Sequence, residues 1–206
     1  MEPVDLALCL AVDASSSVDY REFDLMLGGT AAAFRDPEIA AAILSGRRQA
    51  IAIAMLMWSG LREQEVAIGW TRIDNAAALG ALADRIEALP RLVPPGVTAL
   101  GEAIAAGLAL LGRCPADATR NVLDVSGDGS NNRGREPGPV RDIGVAAGVT
   151  INGLAVVNEE PDLVAYYRAE VIGGPGSFVM ATPDYRAFAE AIREKLLREI
   201  GGVAIA

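Results

Sequence analysis

The residues that could do chemistry in this chain are oxygen donors placed after predicted strands. Asp13, Ser15 and Ser17 follow the first apolar run at alternate positions, Thr98 opens a helical pattern, and Asp128 lies in a Gly-Asp-Gly loop after a later strand. Two carboxylates and three hydroxyls suit a hard divalent cation, Mg²⁺ or alternatively Ca²⁺ or Mn²⁺, better than a soft metal. The pattern predicts a metal site formed by these five side chains.

The same residues also have a purely structural interpretation. Serine and aspartate are common after strands because they cap the next helix and form turns, so the Asp-x-Ser-x-Ser pattern alone is weak. In a parallel sheet, however, ligands bind outside the carboxyl ends of the strands, and all three segments are predicted to reach that rim. Their common placement favours the metal site over the caps.

Missing residue types exclude much of the usual catalytic chemistry. The chain has no histidine, which removes Ser–His–Asp triads, Cys–His dyads and His-ligated zinc. Its two cysteines, Cys9 and Cys114, are too few for a thiolate zinc site, and we do not expect them to pair. Lys195 is the one lysine and lies in an Arg/Glu-rich helical pattern, so a phosphate-loop or Schiff-base lysine is not expected.

Length and composition indicate a single folded domain over residues 1–206. Hydrophobic residues make up 51% and charged residues 22% of the chain, which is typical of globular proteins. The net charge of −9 disfavours nucleic acid and favours cations or basic partners. No apolar run reaches the roughly 18 residues of a membrane span, and the N-terminal sequence shows no signal-peptide pattern.

Alternating strands and helices are predicted to position the five oxygen-donor side chains. Apolar runs predict strands over residues 4–12, 49–58, 66–73, 121–126, 150–157 and 178–181, and helical patterns lie between and after them. This order predicts an α/β fold: a mainly parallel sheet of about six strands, one antiparallel edge strand, and helices on both faces. Asp124 falls inside a buried strand, where we expect a structural rather than a catalytic carboxylate.

The succession Asp13-x-Ser15-x-Ser17, then Thr98, then Asp128-Gly129 resembles the metal-ion-dependent adhesion site of von Willebrand factor type A (vWA) domains. The resemblance extends over essentially the whole chain, because the order of strands and helices also fits that Rossmann-like fold. Further segments, among them Trp58-Ser59-Gly60, Asn131-Asn132 and residues 171–176, resemble a bacterial branch of vWA-like proteins of unknown function.

The resemblance implies roles for the five side chains. Ser15, Ser17 and Thr98 would bind the metal directly, Asp13 and Asp128 would hold its waters and the serine hydroxyls, and a carboxylate of a partner protein would complete the coordination. It also implies export to the periplasm or the medium, with the cytoplasm as the alternative. The chain departs from the family in having Gly96-Val97-Thr98 where Gly-Gly-Thr is common, which leaves the hydroxyl in place.

Three functions remain open from the sequence. The first is a metal-dependent protein-binding module of the adhesion type, which is not an enzyme. The second is a metal-dependent phosphoester hydrolase on the same site, although a phosphatase of the haloacid-dehalogenase type would have aspartate where this chain has Ser15. The third is an accessory domain whose metal is incidental. Asn131 and Asn132 could contact a ligand or only form a turn.

Overall fold

The computed structural model describes residues 1–202, and six strands form its centre. The strands are β1 (Val4–Asp13), β2 (Ile51–Trp58), β3 (Gln64–Ile73), β4 (Ala118–Gly127), β5 (Val149–Val156) and β6 (Val179–Thr182). They form one sheet in the order β3-β2-β1-β4-β5-β6, in which only β3 runs antiparallel to its neighbour. The predicted α/β fold with one antiparallel edge strand is therefore confirmed.

Helices cover both faces of this sheet. One face carries α1 (Tyr20–Phe34), α2 (Pro37–Leu44), α3 (Ala76–Glu87) and α7 (Phe188–Gly201). The other carries α4 (Leu100–Leu111), α5 (Pro137–Ala146) and α6 (Leu163–Tyr166), which continues into a π-helical turn at Tyr167–Val171. No helix within residues 1–202 is long and apolar enough to cross a membrane.

Strand β1 shows why the first apolar run has no polar alternation. Both of its faces are buried, as in other parallel sheets between two helical layers. Leu8 and its neighbours at even positions enter the core beneath α1 and α7, whereas Ala7, Cys9 and Ala11 face the α4 side. The small side chains on that second face allow α4 to lie close to the strand.

Local signals fixed several helix boundaries. Asp19 caps α1 in a capping box with Glu22, and Asn75 caps α3 by accepting a hydrogen bond from Ala78 N at 2.9 Å. Helix α5 begins at Pro137, in keeping with the preference for proline in the first helical turn.

Other expectations had mixed outcomes. The prediction that Thr98 opens and caps a helix is wrong: α4 begins at Leu100, and its capping residue Ala99 makes no side-chain hydrogen bond. Cys9 and Cys114 are both free, as expected. The single domain over residues 1–206 remains a prediction, and its last four residues lie outside the described part of the chain.

Candidate metal centre

The candidate centre lies where the chain changes direction across the sheet. β1 and β4 are neighbours, but the chain passes from β1 to β2 on one side before it returns to β4 on the other. Asp13 is the last residue of β1, and Asp128 directly follows Gly127, the last residue of β4. This is the crevice at which open α/β sheets bind ligands.

The serine loop after β1 forms a connected hydrogen-bond network. Ser15 N donates to Asp13 Oδ1 at 2.7 Å, and the hydroxyl oxygens of Ser15 and Ser17 lie 3.1 Å apart. Ser17 Oγ then donates to Asp128 Oδ1 at 2.6 Å, which joins the β1 loop to the β4 loop. Ser15 is buried and Ser17 is exposed, so the network runs from the end of the sheet to solvent.

Thr98 reaches the same rim from the loop before α4. Its side chain lies against the β4 loop, since a Cβ placed on Gly129 would be 3.6 Å from Thr98 Oγ1. Asn132 fixes the threonine backbone, because its Oδ1 accepts from Thr98 N at 3.0 Å and its own N donates to Thr98 O at 2.9 Å. Asn131 Oδ1 accepts from Gly101 N at 3.4 Å. The two asparagines therefore tie the β4 loop to the start of α4.

The electrostatics of the site are those of an uncompensated pair of carboxylates. Asp13 and Asp128 are completely buried, and Oδ2 of each has no hydrogen-bond partner. Burial, with the charge of Asp128 adding to it, raises the pKa of Asp13 to about 7. Burial also raises the pKa of Asp128, although the hydrogen bond from Ser17 opposes this. Two desolvated carboxylates are costly unless a cation compensates them, so the residues present fit a divalent ion.

Hydroxyl oxygens are essential to any ion at this rim. Within residues 1–202, no group of three or more histidine, cysteine, aspartate or glutamate side chains could hold a metal ion. The two aspartates thus need the hydroxyls of Ser15, Ser17 and Thr98 to complete a ligand set. That combination of oxygen ligands is suited to Mg²⁺, Ca²⁺ or Mn²⁺.

Two tyrosines that the sequence analysis missed line the buried side of the site. The hydroxyls of Tyr167 and Tyr185 are buried without a well-formed hydrogen bond, and burial next to Asp13 and Asp128 raises the pKa of both. A Cβ on Gly127 would lie 2.8 Å from Asp13 Oδ2 and 2.9 Å from the Tyr167 hydroxyl, so only glycine fits there. Isolated tyrosines in apolar patterns are indistinguishable from core residues, and the sequence held no signal for them.

Arg91 is a further residue that the sequence analysis missed. Its Nη2 donates to Val18 O at 2.6 Å and its Nη1 to Ala14 O at 3.3 Å, while its guanidinium lies 4.8 Å from the centre of the Phe23 ring. The arginine thereby holds both ends of the serine loop. It shapes the site from the loop between α3 and α4.

The buried polar cluster around Asp124 is separate from this rim. Lys195 is completely buried, and its Nζ lies 2.5 Å from Asp124 Oδ1 and 2.7 Å from Glu199 Oε1. Asn152 Nδ2 also donates to Glu199 Oε1, at 2.8 Å. Burial and the charge of Asp124 raise the pKa of Glu199 to about 7, despite the opposing effect of Lys195. Asp124 is paired inside the fold, in keeping with the structural role expected for it.

Comparison with known proteins places the fold of this chain among vWA folds. A family model described as "Protein of unknown function (DUF1194)" matches residues 3–204. None of the curated proteins matches the sequence. Solved structures with the same fold include a von Willebrand factor type A protein from Catenulispora acidiphila, at 17% identity and a TM-score of 0.63, covering 96% of this chain and 43% of that one.

Two further structures show the same fold in larger proteins. Proximal thread matrix protein 1 from the mussel byssus, described with a zinc-occupied MIDAS motif, has 14% identity and a TM-score of 0.65, with 97% of this chain and 48% of that chain covered. The pilus adhesin SpaC from Lactobacillus rhamnosus GG has 12% identity and a TM-score of 0.65, with 97% and 31% covered. The chain thus spans less than half the length of each of these three structures.

Proposed function

The chain belongs to the DUF1194 family, and from that premise we propose that it is a divalent-metal-dependent protein-binding module of the adhesion type. One observation carries the proposal: two buried carboxylates, each with an unpartnered oxygen, lie beneath hydroxyls that reach solvent at the carboxyl end of the sheet. A cation at this point would compensate the buried charge and remain accessible from outside.

In this proposal the ion is Mg²⁺, or alternatively Ca²⁺ or Mn²⁺. The hydroxyls of Ser15, Ser17 and Thr98 bind it, while Asp13 and Asp128 hold the hydroxyls and the ion's waters in place. Ligands that are neutral leave the positive charge of the ion available to an incoming anion, and a carboxylate of the partner protein completes the coordination. The remaining rim supplies contact area.

The named neighbours support an adhesion-type role. SpaC is described as a pilus adhesin, a minor pilin from Streptococcus sanguinis has the same fold, and the byssus protein is described with zinc in its MIDAS motif. These names also favour a periplasmic or secreted location for this chain, with the cytoplasm as the alternative.

The placement of Lys195 argues against the hydrolase alternative. A hydrolase needs a group that activates water at the metal, and the one lysine is buried between Asp124 and Glu199 in the interior. The hydroxyls at the rim already form a network with Asp13 and Asp128. We therefore propose that the chain is not an enzyme.

Calorimetric titration with Mg²⁺, Ca²⁺ and Mn²⁺ tests the proposed site. We expect one ion per chain for the wild type, none for Asp128→Ala, and weakened binding for Ser17→Ala. Ser16→Ala is the matched control. Ser16 is an exposed serine of the same loop, and the hydrogen bonds of the network are made by Ser15 and Ser17 instead. Unchanged binding in Asp128→Ala, or no binding by the wild type, would overturn the proposal. Circular dichroism checks that each variant is folded.

A further inference from the structure

The chain after β5 holds the β4 loop of the candidate centre at two points. Glu160 Oε1 accepts from Ser130 N at 3.0 Å, and the Tyr166 hydroxyl oxygen accepts from Asn131 N at 3.2 Å. At Tyr167, helix α6 continues into the π-helical turn. Such turns are rare in proteins and occur frequently at functional sites, and this one begins at a residue that reaches the centre.

Tyr167 crosses two glycines to reach the end of β1. A Cβ on Gly153 would lie 2.5 Å from Cδ1 of the tyrosine ring, and a Cβ on Gly127 would lie 2.9 Å from its hydroxyl. The same point beside Gly127 is 2.8 Å from Asp13 Oδ2. Glycines on the neighbouring strands β4 and β5 thus leave room for the ring and bring its hydroxyl beside the Asp13 carboxylate.

Tyr185 approaches the other carboxylate from the loop between β6 and α7. The residue is buried, and its ring stacks on Phe188 with the ring centres 6.1 Å apart. Burial raises the pKa of Asp128, and the hydroxyls of Ser17 and Tyr185 oppose this effect, so the tyrosine acts directly on that carboxyl. Each aspartate of the centre therefore has one buried tyrosine hydroxyl beside it.

These hydroxyls would destabilise the fold if the two rings served packing alone. A buried hydroxyl without a partner is unfavourable, and phenylalanine would fill the same space without that cost. Within residues 1–202, the hydroxyls of Tyr167 and Tyr185 and the Oδ2 atoms of Asp13 and Asp128 all lack a hydrogen-bond partner. Two free donors thus lie beside two free acceptors.

We propose that Tyr167 and Tyr185 are positioning residues of the centre. Their hydroxyls donate to the free Oδ2 atoms of Asp13 and Asp128 and fix the orientation of both carboxylates around the ion. Hydrogen bonds from a hydroxyl to an ionised carboxylate are short and strong. A carboxylate oxygen has two lone pairs, so it can accept from the tyrosine and from a water of the ion together. The inference rests on the proposed function, because it concerns how firmly the same ion is held.

Fixed carboxylates also influence which ion the centre prefers. Mg²⁺ requires a nearly octahedral set of ligands at short distances, whereas Ca²⁺ accepts a larger and more flexible set. Serine hydroxyls that are held by oriented carboxylates form a rigid set. Loss of a tyrosine hydroxyl should therefore weaken the binding of Mg²⁺ more than the binding of Ca²⁺.

Calorimetric titration of Tyr167→Phe and Tyr185→Phe with both ions tests the inference. We expect roughly tenfold weaker Mg²⁺ binding in each variant, against about two- to threefold for Ca²⁺. Phenylalanine keeps the ring, so tyrosines that served packing alone would leave both affinities unchanged. Tyr20→Phe is the matched control, since Tyr20 is 73% exposed on α1, and it should bind both ions within about twofold of the wild type.

Ultraviolet difference spectroscopy gives a second measurement, which begins with the wild type. A bound ion draws charge away from the carboxylates that accept from the two hydroxyls, so Mg²⁺ should change the tyrosine absorption. We expect this change to persist in Tyr20→Phe and to be reduced in Tyr167→Phe and Tyr185→Phe. A difference spectrum that is equal in the wild type and all three variants would contradict the inference.

The outcomes separate the inference from the function on which it rests. Unchanged Mg²⁺ affinity in Tyr167→Phe and Tyr185→Phe, or equal losses for Mg²⁺ and Ca²⁺, would overturn the inference alone. A wild type that binds neither ion would instead overturn the proposed function. Circular dichroism of each variant checks that a loss of binding does not come from a loss of structure.

Discussion

Replacing Asp13 by asparagine should have opposite effects on stability with and without metal. The substitution keeps the oxygen that accepts from Ser15 N at 2.7 Å, but it removes one of two buried charges. At close range, two like charges repel by up to about 4 kcal/mol at an effective dielectric constant of about 20. Without metal, Asp13→Asn should therefore be more stable than the wild type by about 2 kcal/mol, since partial protonation already relieves some of this repulsion.

With bound metal, the wild type should instead be more stable than Asp13→Asn. An ion at about 100 times its Kd stabilises the folded wild type by roughly 2.7 kcal/mol. For a chain of 206 residues, that corresponds to a rise in Tm of about 5–10 °C. Asp13→Asn should lose most of this rise, because the amide no longer compensates the ion. Its own gain without metal should appear as a Tm about 4–8 °C above that of the wild type.

Thermal unfolding at pH 8, in EDTA and in saturating Mg²⁺, measures both effects. Asp24→Asn is the control, since it removes one negative charge from an exposed position on α1. It should leave the metal-induced rise intact. The reasoning fails if Asp13→Asn lowers the Tm in EDTA, or if the variant retains the full rise in Mg²⁺.

Three further predictions concern the support of the site and the interior. Asn132→Ala should weaken Mg²⁺ binding roughly tenfold in calorimetry, because Thr98 loses the side chain that fixes its backbone. Lys195→Met should lower the free energy of unfolding in urea by about 3–5 kcal/mol, because Asp124 and Glu199 are left buried without a cation. Because the pKa of Glu199 is raised to about 7, its protonated form stabilises the fold below about pH 4.5 and this stabilisation is lost as the pH rises through 7. In urea titrations at pH 5 and pH 8, Glu199→Gln should therefore gain about 2 kcal/mol on the wild type at the higher pH.

Each of these predictions has an outcome that contradicts it. Equal Mg²⁺ affinity in Asn132→Ala would mean that the asparagine only forms a turn. A loss below about 1 kcal/mol in Lys195→Met would show that the cluster is hydrated or protonated rather than ionic. The same difference between Glu199→Gln and the wild type at both pH values would exclude titration of Glu199 in that range.

Much of the fold was predictable because its signals are local. The buried runs of β1 and β2, the caps at Asp19 and Asn75, and the turn between β2 and β3 can each be found without knowledge of their neighbours. Thr98 shows the limit of such signals. A threonine before a helical pattern is a typical cap, but hydrogen bonds with Asn132 hold Thr98 in the loop, two residues before Leu100, the first residue of α4.

The candidate site was only partly predictable, because some of its residues are brought in by contacts between segments that are distant in the sequence. The five oxygen donors follow from strand order, because the carboxyl ends of parallel strands meet at one rim; their role as metal ligands remains a prediction. Arg91, Tyr167 and Tyr185 reach the site by side-chain packing between distant segments, which no spacing along the chain encodes. The burial of Lys195 could not be predicted for a related reason, since an Arg/Glu-rich helix is usually exposed and its partner Asp124 lies on another element.

The buried lysine also determines how far along the sheet the last helix sits. The apolar residues of α7 that face the core, Phe188, Ile192, Leu196 and Ile200, recur every four residues. Apolar contact alone would therefore tolerate a slide of α7 by about one turn. Such a slide would bring Ala191 or Glu199 opposite Asp124 in place of Lys195, and would leave a buried carboxylate without a cation or facing a second one. A single charged side chain thus gives a repetitive helix one permitted register.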